Sequence, residues 1–367
     1  MPRLYLSGIV GTGKTEAIQE TKELAKRTCG KEVYNVSLGE IFAEFGDMLD
    51  VPRDRLNYLP NIMQAALRTG LMDRCALELM NYDNDDMVII DGPLTIVDRY
   101  GINQGTFRIN EFETLNSSRI RRPIDRRFVS MIGDTQRIVQ KNKGMSYPTD
   151  SASILEWVAR EVQISDLFSE YYTKEKVLVT PRDYSSQLLL KLLIDKTTPV
   201  AYFAYPITEV RRQEMLGNCE VREKLNDFRD ELNLCCSFVN PIELSDSNIT
   251  NAAERIYTRY RDLNWLVRQA KYVIAYFPAD LQSKGIPIEL KESENLGRVN
   301  ILIHPEADEN PLDAPIDFYF KDGGEFIDAV RKSRTDNKFK RLEEFLDKDS
   351  DMLRYEKLFK GISINKI

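Results

Sequence analysis

Residues 8–15 read Gly-Ile-Val-Gly-Thr-Gly-Lys-Thr, directly after the apolar run Leu4-Tyr5-Leu6 and directly before a charged, helix-forming stretch that starts at Glu16. This is the pattern of a phosphate-binding loop set between a strand and a helix. Gly8, Gly11 and Gly13, with Thr12 among them, let consecutive backbone N–H groups turn inward on an anion. Lys14 adds a point charge for the outer phosphates, Thr15 offers a hydroxyl to Mg²⁺, and the following helix aims its positive end at the same spot. ATP and Mg²⁺ are therefore the expected ligands, and an α/β fold the expected setting.

Short apolar runs alternate with helical patterns through residue 181, as they do when helices flank a parallel sheet. Strands are predicted at 3–7, 32–37, 87–91, 128–132 and 176–180, and helices over 14–28, 38–46, 54–80, 151–172 and 184–195. The polar link Asp195-Lys196-Thr197-Thr198-Pro199 marks a boundary. Beyond it the alternation restarts, with strands at 200–204, 236–239, 272–276, 299–303 and 317–320, and helices over 209–233, 249–269, 287–296 and from 324. A chain of 367 residues exceeds what one hydrophobic core usually serves. The expected fold class is thus α/β with two doubly wound parallel-sheet domains, residues 1–195 and 199–332, followed by a charged helical tail, 333–367. Phe339, Leu342, Phe345 and Leu346 are spaced for one face of a helix in that tail, which suits packing or a dimer contact.

The formal net charge is −7, whereas a phosphate-backbone binder shows a basic surplus or a basic face, so no nucleic-acid partner is expected. The cysteines Cys29, Cys75, Cys219, Cys235 and Cys236 form no CxxC pair, and His304 is the only histidine. That argues against structural zinc and for free thiols in a reducing cytoplasm. No leader peptide and no bilayer-spanning apolar stretch is read in the sequence, so no membrane partner is expected.

Asp91 closes the apolar strand Met87-Val88-Ile89-Ile90-Asp91, where an open α/β sheet presents its ligand-facing edge. An acid there orients Mg²⁺ beside the loop threonine. Arg53 and Arg55 at the mouth of a helix can fork onto the phosphate of a second substrate. The loop Gly8 to Thr15, with Ser37-Leu38-Gly39-Glu40, Arg53-Asp54, Leu59-Pro60, Gln64, Ile89-Ile90-Asp91 and Leu94-Thr95-Ile96, resembles the archaeal-type adenylate kinases and related small nucleotide kinases over residues 1–180. The resemblance implies a P-loop kinase fold and a nucleoside-monophosphate-type pocket around Gly39, Arg53 and Gln64. Gly92-Pro93 stands where that family tends to place a histidine. A cationic lid is expected from Arg119, Arg121, Arg122, Arg126 and Arg127 before the fourth strand and from Arg137, Lys141 and Lys143 after it, with Arg137 the candidate for the transferring phosphoryl group.

In the second domain Asp262 precedes one strand and Glu289 follows it, so both acids belong near one carboxyl edge. A carboxylate pair at such an edge suits N-glycosidic cleavage, one acid at the anomeric carbon and the other handling the proton. Tyr202-Phe203-Ala204-Tyr205-Pro206 with Arg211, then Asp262-Leu263-Asn264-Trp265-Leu266, Gln269 to Ala275, Gly285, Glu289 and Val299 to Leu302 resemble the nucleoside 2-deoxyribosyltransferase superfamily, most closely its deoxynucleoside 5'-monophosphate N-hydrolase branch, over residues 199–332. The resemblance implies Glu289 as nucleophile and Asp262 as partner acid. It also places Ser283 and Arg211 on the 5'-phosphate, Tyr205 and Gly285 at the substrate, and a pocket completed in a homodimer. Trp265 is read as a core residue rather than a base-stacking platform.

The expected function is bifunctional: Mg²⁺-ATP-dependent phosphorylation of a nucleotide or nucleoside, and N-glycosidic cleavage or transfer on a (deoxy)nucleoside 5'-monophosphate. The alternative is a nucleotide-sensing switch in which the phosphate-loop domain gates a glycosidase-like or inactive ligand-binding domain.

Overall fold

In the computed structural model, the described residues are 2–83, 86–98, 101–104, 127–145, 147–195, 198–240, 252–305, 312 and 314–333. They belong to two compact units, Met1–Lys196 with Glu243–Tyr257, and Thr197–Ile242 with Thr258–Ile367.

The first unit is organised by apolar runs too short for buried helices and covered on both faces, which is the condition for parallel strands. They form β1 (Arg3–Ser7), β2 (Val33–Ser37) and β3 (Met87–Asp91). After β3 comes an antiparallel hairpin of β4 (Thr95–Asp98) and β5 (Gly101–Gln104), then β6 (Phe128–Ile132) and β7 (Leu178–Pro181). The main sheet has the order β2-β3-β1-β6-β7 with every pairing parallel. Register sets Asp91 opposite Leu6 on one side and Ser37 on the other. The end of β3 therefore lies between the start of the phosphate loop and the start of the next helix.

Helices α1 (Lys14–Thr28), α2 (Leu38–Leu49), α3 (Asn61–Leu79), α4 (Thr135–Asn142), α5 (Ser151–Thr173) and α6 (Ser185–Ile194) surround this sheet. Asp134 and Asp150 cap α4 and α5, accepting the N–H of Arg137 at 2.9 Å and of Ser153 at 2.8 Å. Two elements depart from expectation. The helix predicted over 54–80 is broken into a 3₁₀ turn, Arg53–Tyr58, and α3, because Leu59 precedes Pro60 and is driven to extended backbone. The hairpin and α4 were absent from the periodicity reading, both being too short to generate one.

The second unit contains β8 (Val200–Ala204), β9 (Ser237–Val239), β10 (Tyr272–Tyr276), β11 (Val299–Ile303) and β12 (Phe318–Phe320). They pair in parallel in the order β12-β11-β10-β8-β9. This is the doubly wound order whose switch point falls between the first and third strands, here β8 and β10. The described helices of its sequence span are α7 (Ile207–Met215), α8 (Glu220–Cys235), α9 (Ala252–Arg261), α10 (Ile286–Asn295) and α11 (Gly323–Lys332). Phe203, Phe228, Tyr276 and Phe326 make its ring-on-ring core, with Phe228 and Tyr276 stacked at 4.3 Å. The single helix predicted over 209–233 is two helices, because Gly217 takes φ +83° and ends the first. The one predicted over 249–269 passes from α9 into a π-helical segment, Asp262–Val267, a local underwinding frequent at functional sites.

Both units are thus α/β with a five-stranded parallel sheet, as the alternation of the sequence implies. The tail from 334 onward, with its expected helix, lies outside the described residues.

Candidate functional sites

The phosphate loop joins β1 to α1. Gly8 adopts φ +144°, and a Cβ there would sit 2.6 Å from the carbonyl oxygen of Met131 on β6. Gly13, at φ +92°, is the residue before α1, and Arg182 packs its side chain so closely that a Cβ would lie 2.9 Å from the arginine Cδ. Only glycine fits either position. Thr12 is buried and its hydroxyl donates to Ile9 O at 2.9 Å, tightening the turn. The Lys14 ammonium donates to Gly8 O at 2.5 Å and Ile9 O at 3.2 Å, so it rests on the rim of the loop it serves.

Glu161, fully buried on α5, supports this loop from below. Its Oε1 accepts the N–H of Gly8 at 2.9 Å and of Leu94 at 2.8 Å; its Oε2 accepts the Thr95 N–H at 2.7 Å and the Thr95 hydroxyl at 2.5 Å. Burial pushes the Glu161 pKa up, and its donors and the Lys14 charge pull against that. Three of these contacts are backbone N–H groups, which can only donate, so both Glu161 oxygens are held as acceptors. Trp157, one turn earlier, donates its indole N–H to the Thr95 hydroxyl at 3.0 Å. Glu161 was not among the sequence candidates. Its signal was a charged residue inside the apolar stripe Ile154, Trp157, Val158, Val162, Phe168 of an otherwise ordinary helix.

A cavity of about 690 Å³ opens above the loop, within the usual range for small-ligand pockets. Gly11, Gly13, Lys14 and Thr15 line it on one side, Gly39, Glu40 and Asp91 on another. Asp91 is buried, and its Oδ1 has no hydrogen-bond partner. Burial raises its pKa, while the Lys14 charge and hydrogen bonds from Asn35 and Ser37 oppose the rise. A buried carboxylate oxygen left open at a cavity that Thr15 also lines fits a hard divalent cation, whose preferred ligands are oxygens.

The other predicted positions are placed as follows. Gly39 lines the cavity. Gln64 is used locally, its Nε2 donating to Leu59 O at 2.9 Å to close the turn before α3. The Arg53 side chain lies outside the described residues, as do Arg119, Arg121, Arg122 and Arg126. Arg127 is half-buried and pairs with Glu175 at 3.7 Å. On α4, Lys141 lines the cavity and pairs with Glu16 at 2.6 Å; Arg137 reaches the same Glu16 at 3.7 Å and does not line the cavity.

In the second unit a titratable cluster gathers where β8 and α10 meet. The Tyr202 hydroxyl and Glu289 Oε1 are 3.1 Å apart. Burial and the Asp262 charge push the Glu289 pKa up to about 8, against the Tyr202 hydrogen bond, which lowers it. Asp262 opens the π-helical segment and is raised by burial, opposed by Arg261, whose Nε donates to it at 2.9 Å. The Asp262 charge thus acts on Glu289, while Asp262 itself answers to its burial and to Arg261. Gly285 is the N-cap of α10, and Ser283, two residues before it, accepts the Ile286 N–H on its Oγ at 3.3 Å. Tyr205 is buried, stacked on Phe203 at 5.7 Å, and Arg211 is half-buried on α7. Trp265, in the π-helical segment, is half-buried and edge-on to Tyr260 at 6.2 Å, rather than a core residue.

No family model and no curated protein matches the chain. Among solved structures, it is similar to shikimate kinase from Acinetobacter baumannii in complex with shikimate, at 12% identity and TM-score 0.33, over 53% of this chain and 93% of that one. Shikimate kinase from Bacteroides thetaiotaomicron matches at 13% identity and TM-score 0.31, over 59% and 98% of the two chains. A sugar kinase from Janibacter sp. HTCC2649 matches at 12% identity and TM-score 0.28, over 52% and 91%. Likenesses at this level carry nothing about substrate.

Proposed function

We propose that the first unit transfers the terminal phosphoryl group of ATP to a small hydroxyl-bearing nucleotide or nucleoside, and that the second cleaves an N-glycosidic bond of a (deoxy)nucleoside 5'-monophosphate. The observation that carries the first part is the open Oδ1 of Asp91 in a cavity that also presents Lys14, Thr15 and the amides of the glycine loop. The loop amides and the end of α1 bind the polyphosphate; Lys14 leaves the Gly8 and Ile9 carbonyls for the outer phosphates. Thr15 and Asp91 are the residues that would hold Mg²⁺, which when bound supplies charge compensation for the phosphates. Glu161 keeps the Gly8 amide in place throughout.

In the second unit Glu289 attacks the anomeric carbon as a carboxylate and the base departs with a proton delivered by Asp262. A C–O bond forms as the C–N bond breaks, and water then releases the sugar phosphate. The Tyr202 hydroxyl favours the charged form of Glu289. Burial raises the Asp262 pKa and so favours the protonated form that delivers this proton, against the pull of Arg261; the water that releases the sugar phosphate gives the proton back.

Incubation of the protein with nucleosides and nucleotides, with and without Mg²⁺-ATP, followed for ADP and free base together, tests both halves. Lys14→Ala should abolish ADP formation alone and Glu289→Ala base release alone. No ADP above the Lys14→Ala background with any acceptor removes the first half; no free base from any substrate removes the second.

A further inference from the structure

The first-unit cavity has two kinds of lining. One side is the phosphate loop with Asp91. The other is built from Phe42, Pro93, Ile96, Met145, Tyr147 and Trp157. Within it the Tyr147 ring lies against Trp157, centroids 5.6 Å apart and planes 30° apart. Trp157 is only 1% exposed and is held by its indole N–H on Thr95, while Tyr147 is half-buried. A fixed ring therefore backs a ring that borders the cavity. Thr95 is tied to Glu161, and Glu161 to Gly8, so this wall is hydrogen-bonded to the phosphate loop itself.

The charges on the same side point one way. Glu40 lines the cavity from the first turn of α2, near enough to Asp91 to raise its pKa. Among the described lining residues the cations are Lys14 and Lys141, the latter paired with Glu16. Among the described lining residues there is no arginine, so an anionic acceptor entering beside Glu40 and Asp91 would meet like charge there.

We infer that the acceptor half of this cleft is a slot for a flat ring, and that the phosphoryl acceptor is an uncharged nucleoside whose base stacks on Tyr147 with Trp157 behind it. The inference rests on the phosphoryl-transfer reading of the cleft and narrows its acceptor. Every base has a π face, so stacking needs no hydrogen-bond readout. A polyol acceptor, by contrast, would call for a wall of hydrogen-bonding groups where this one presents rings, a proline and a methionine.

Trp157 and Trp265 are the only tryptophans of the chain, and Trp265 does not line this cavity. In a Trp265→Phe protein, Trp157 emission therefore reports on the slot alone. Nucleosides, their 5'-monophosphates, and shikimate as a non-aromatic control are titrated without ATP, and again with a saturating non-hydrolysable ATP analogue. ADP formation is followed in parallel. A saturable emission change is expected with at least one nucleoside, at least about tenfold tighter than with its monophosphate, absent with shikimate, and not competed by the analogue. Tyr147→Leu should raise KM for that nucleoside by about tenfold to a hundredfold with kcat little changed, and Tyr147→Phe should keep it. Monophosphate binding tighter than its nucleoside, competition by the ATP analogue, or ADP formation with shikimate but no nucleoside response would overturn the inference. Should nucleosides bind without any acceptor supporting ADP formation, the ring slot stands and phosphoryl transfer falls.

Discussion

The carboxylate of Glu161 accepts the backbone N–H of Gly8 at 2.9 Å, across 153 residues of sequence. A phosphate loop is usually considered from above, as amides waiting for an anion. Here its first amide is already spoken for by an anion of the protein, which also gathers Leu94 and Thr95. The side chain fixes loop and post-β3 segment to one point, so the two halves of the cleft cannot drift apart independently.

Glu161→Ala would leave those buried donors unmatched. Removing one partner of a buried charged network costs about 3–5 kcal/mol, and the urea midpoint should fall accordingly. Glu161→Gln should recover only part of the loss, because its amide NH₂ would face donors. Restoration to wild-type stability by glutamine would show that charge and acceptor geometry are not what Glu161 supplies.

Gly8→Ala and Gly30→Ala both place a side chain at positive φ, +144° and +62°, yet only at Gly8 does the new Cβ meet backbone, at 2.6 Å from Met131 O. Gly30→Ala should cost about 1 kcal/mol for the backbone alone. Gly8→Ala should cost clearly more and abolish ATP binding, measured by calorimetry. Equal stability losses in the two variants would contradict the close approach of β6.

Lys141→Ala separates stability from binding. Its pair with Glu16 is exposed, 39% and 44%, and such pairs are worth about 0–1 kcal/mol. Thermal stability should therefore hold within about 2 °C, while KM for ATP rises about tenfold through loss of a cation lining the cavity. Arg137→Ala, away from the lining, should leave KM within about twofold. A reversed order of the two effects would return the lid role to Arg137.

Asp91→Asn should lower kcat by about a hundredfold or more and blunt its dependence on Mg²⁺ concentration. Its folding stability should stay level or rise, because burial disfavours the charge that asparagine lacks. A marked loss of stability with activity retained would make Asp91 a structural residue.

The Glu289 pKa, pushed up to about 8, makes two outcomes depend on pH. Base release should increase as pH rises toward that value, since the attacking carboxylate must be charged. Tyr202→Phe removes a hydrogen bond that favours the charge, so the rising limb should move to higher pH. For folding, an acid whose pKa is raised destabilises progressively from the ordinary carboxylate range up to its folded value. Glu289→Gln should accordingly help stability more at about pH 9 than at about pH 5. A stability difference that is flat with pH would mean that Glu289 is not shielded from water.

Local sequence determined a good deal. The loop from Gly8 to Thr15, its strand and its helix, the end of β3 at Asp91, and the alternation that produces two parallel sheets are all decided within short windows, by backbone freedom, charge and apolar periodicity. Tertiary structure decided the rest. Pro60, Gly217 and the π-helical turn at Asp262 interrupt helices whose apolar spacing runs on regardless, because periodicity reports a face and not its continuity. Glu161, Tyr147 and Trp157 were silent in sequence: their roles depend on reaching Gly8, Thr95 and one another over separations that no local pattern encodes. Likewise Asp262 and Glu289 could be chosen as acids from the sequence, but the upward push of Asp262 on Glu289 exists only because the fold brings the two half-buried side chains within each other's field.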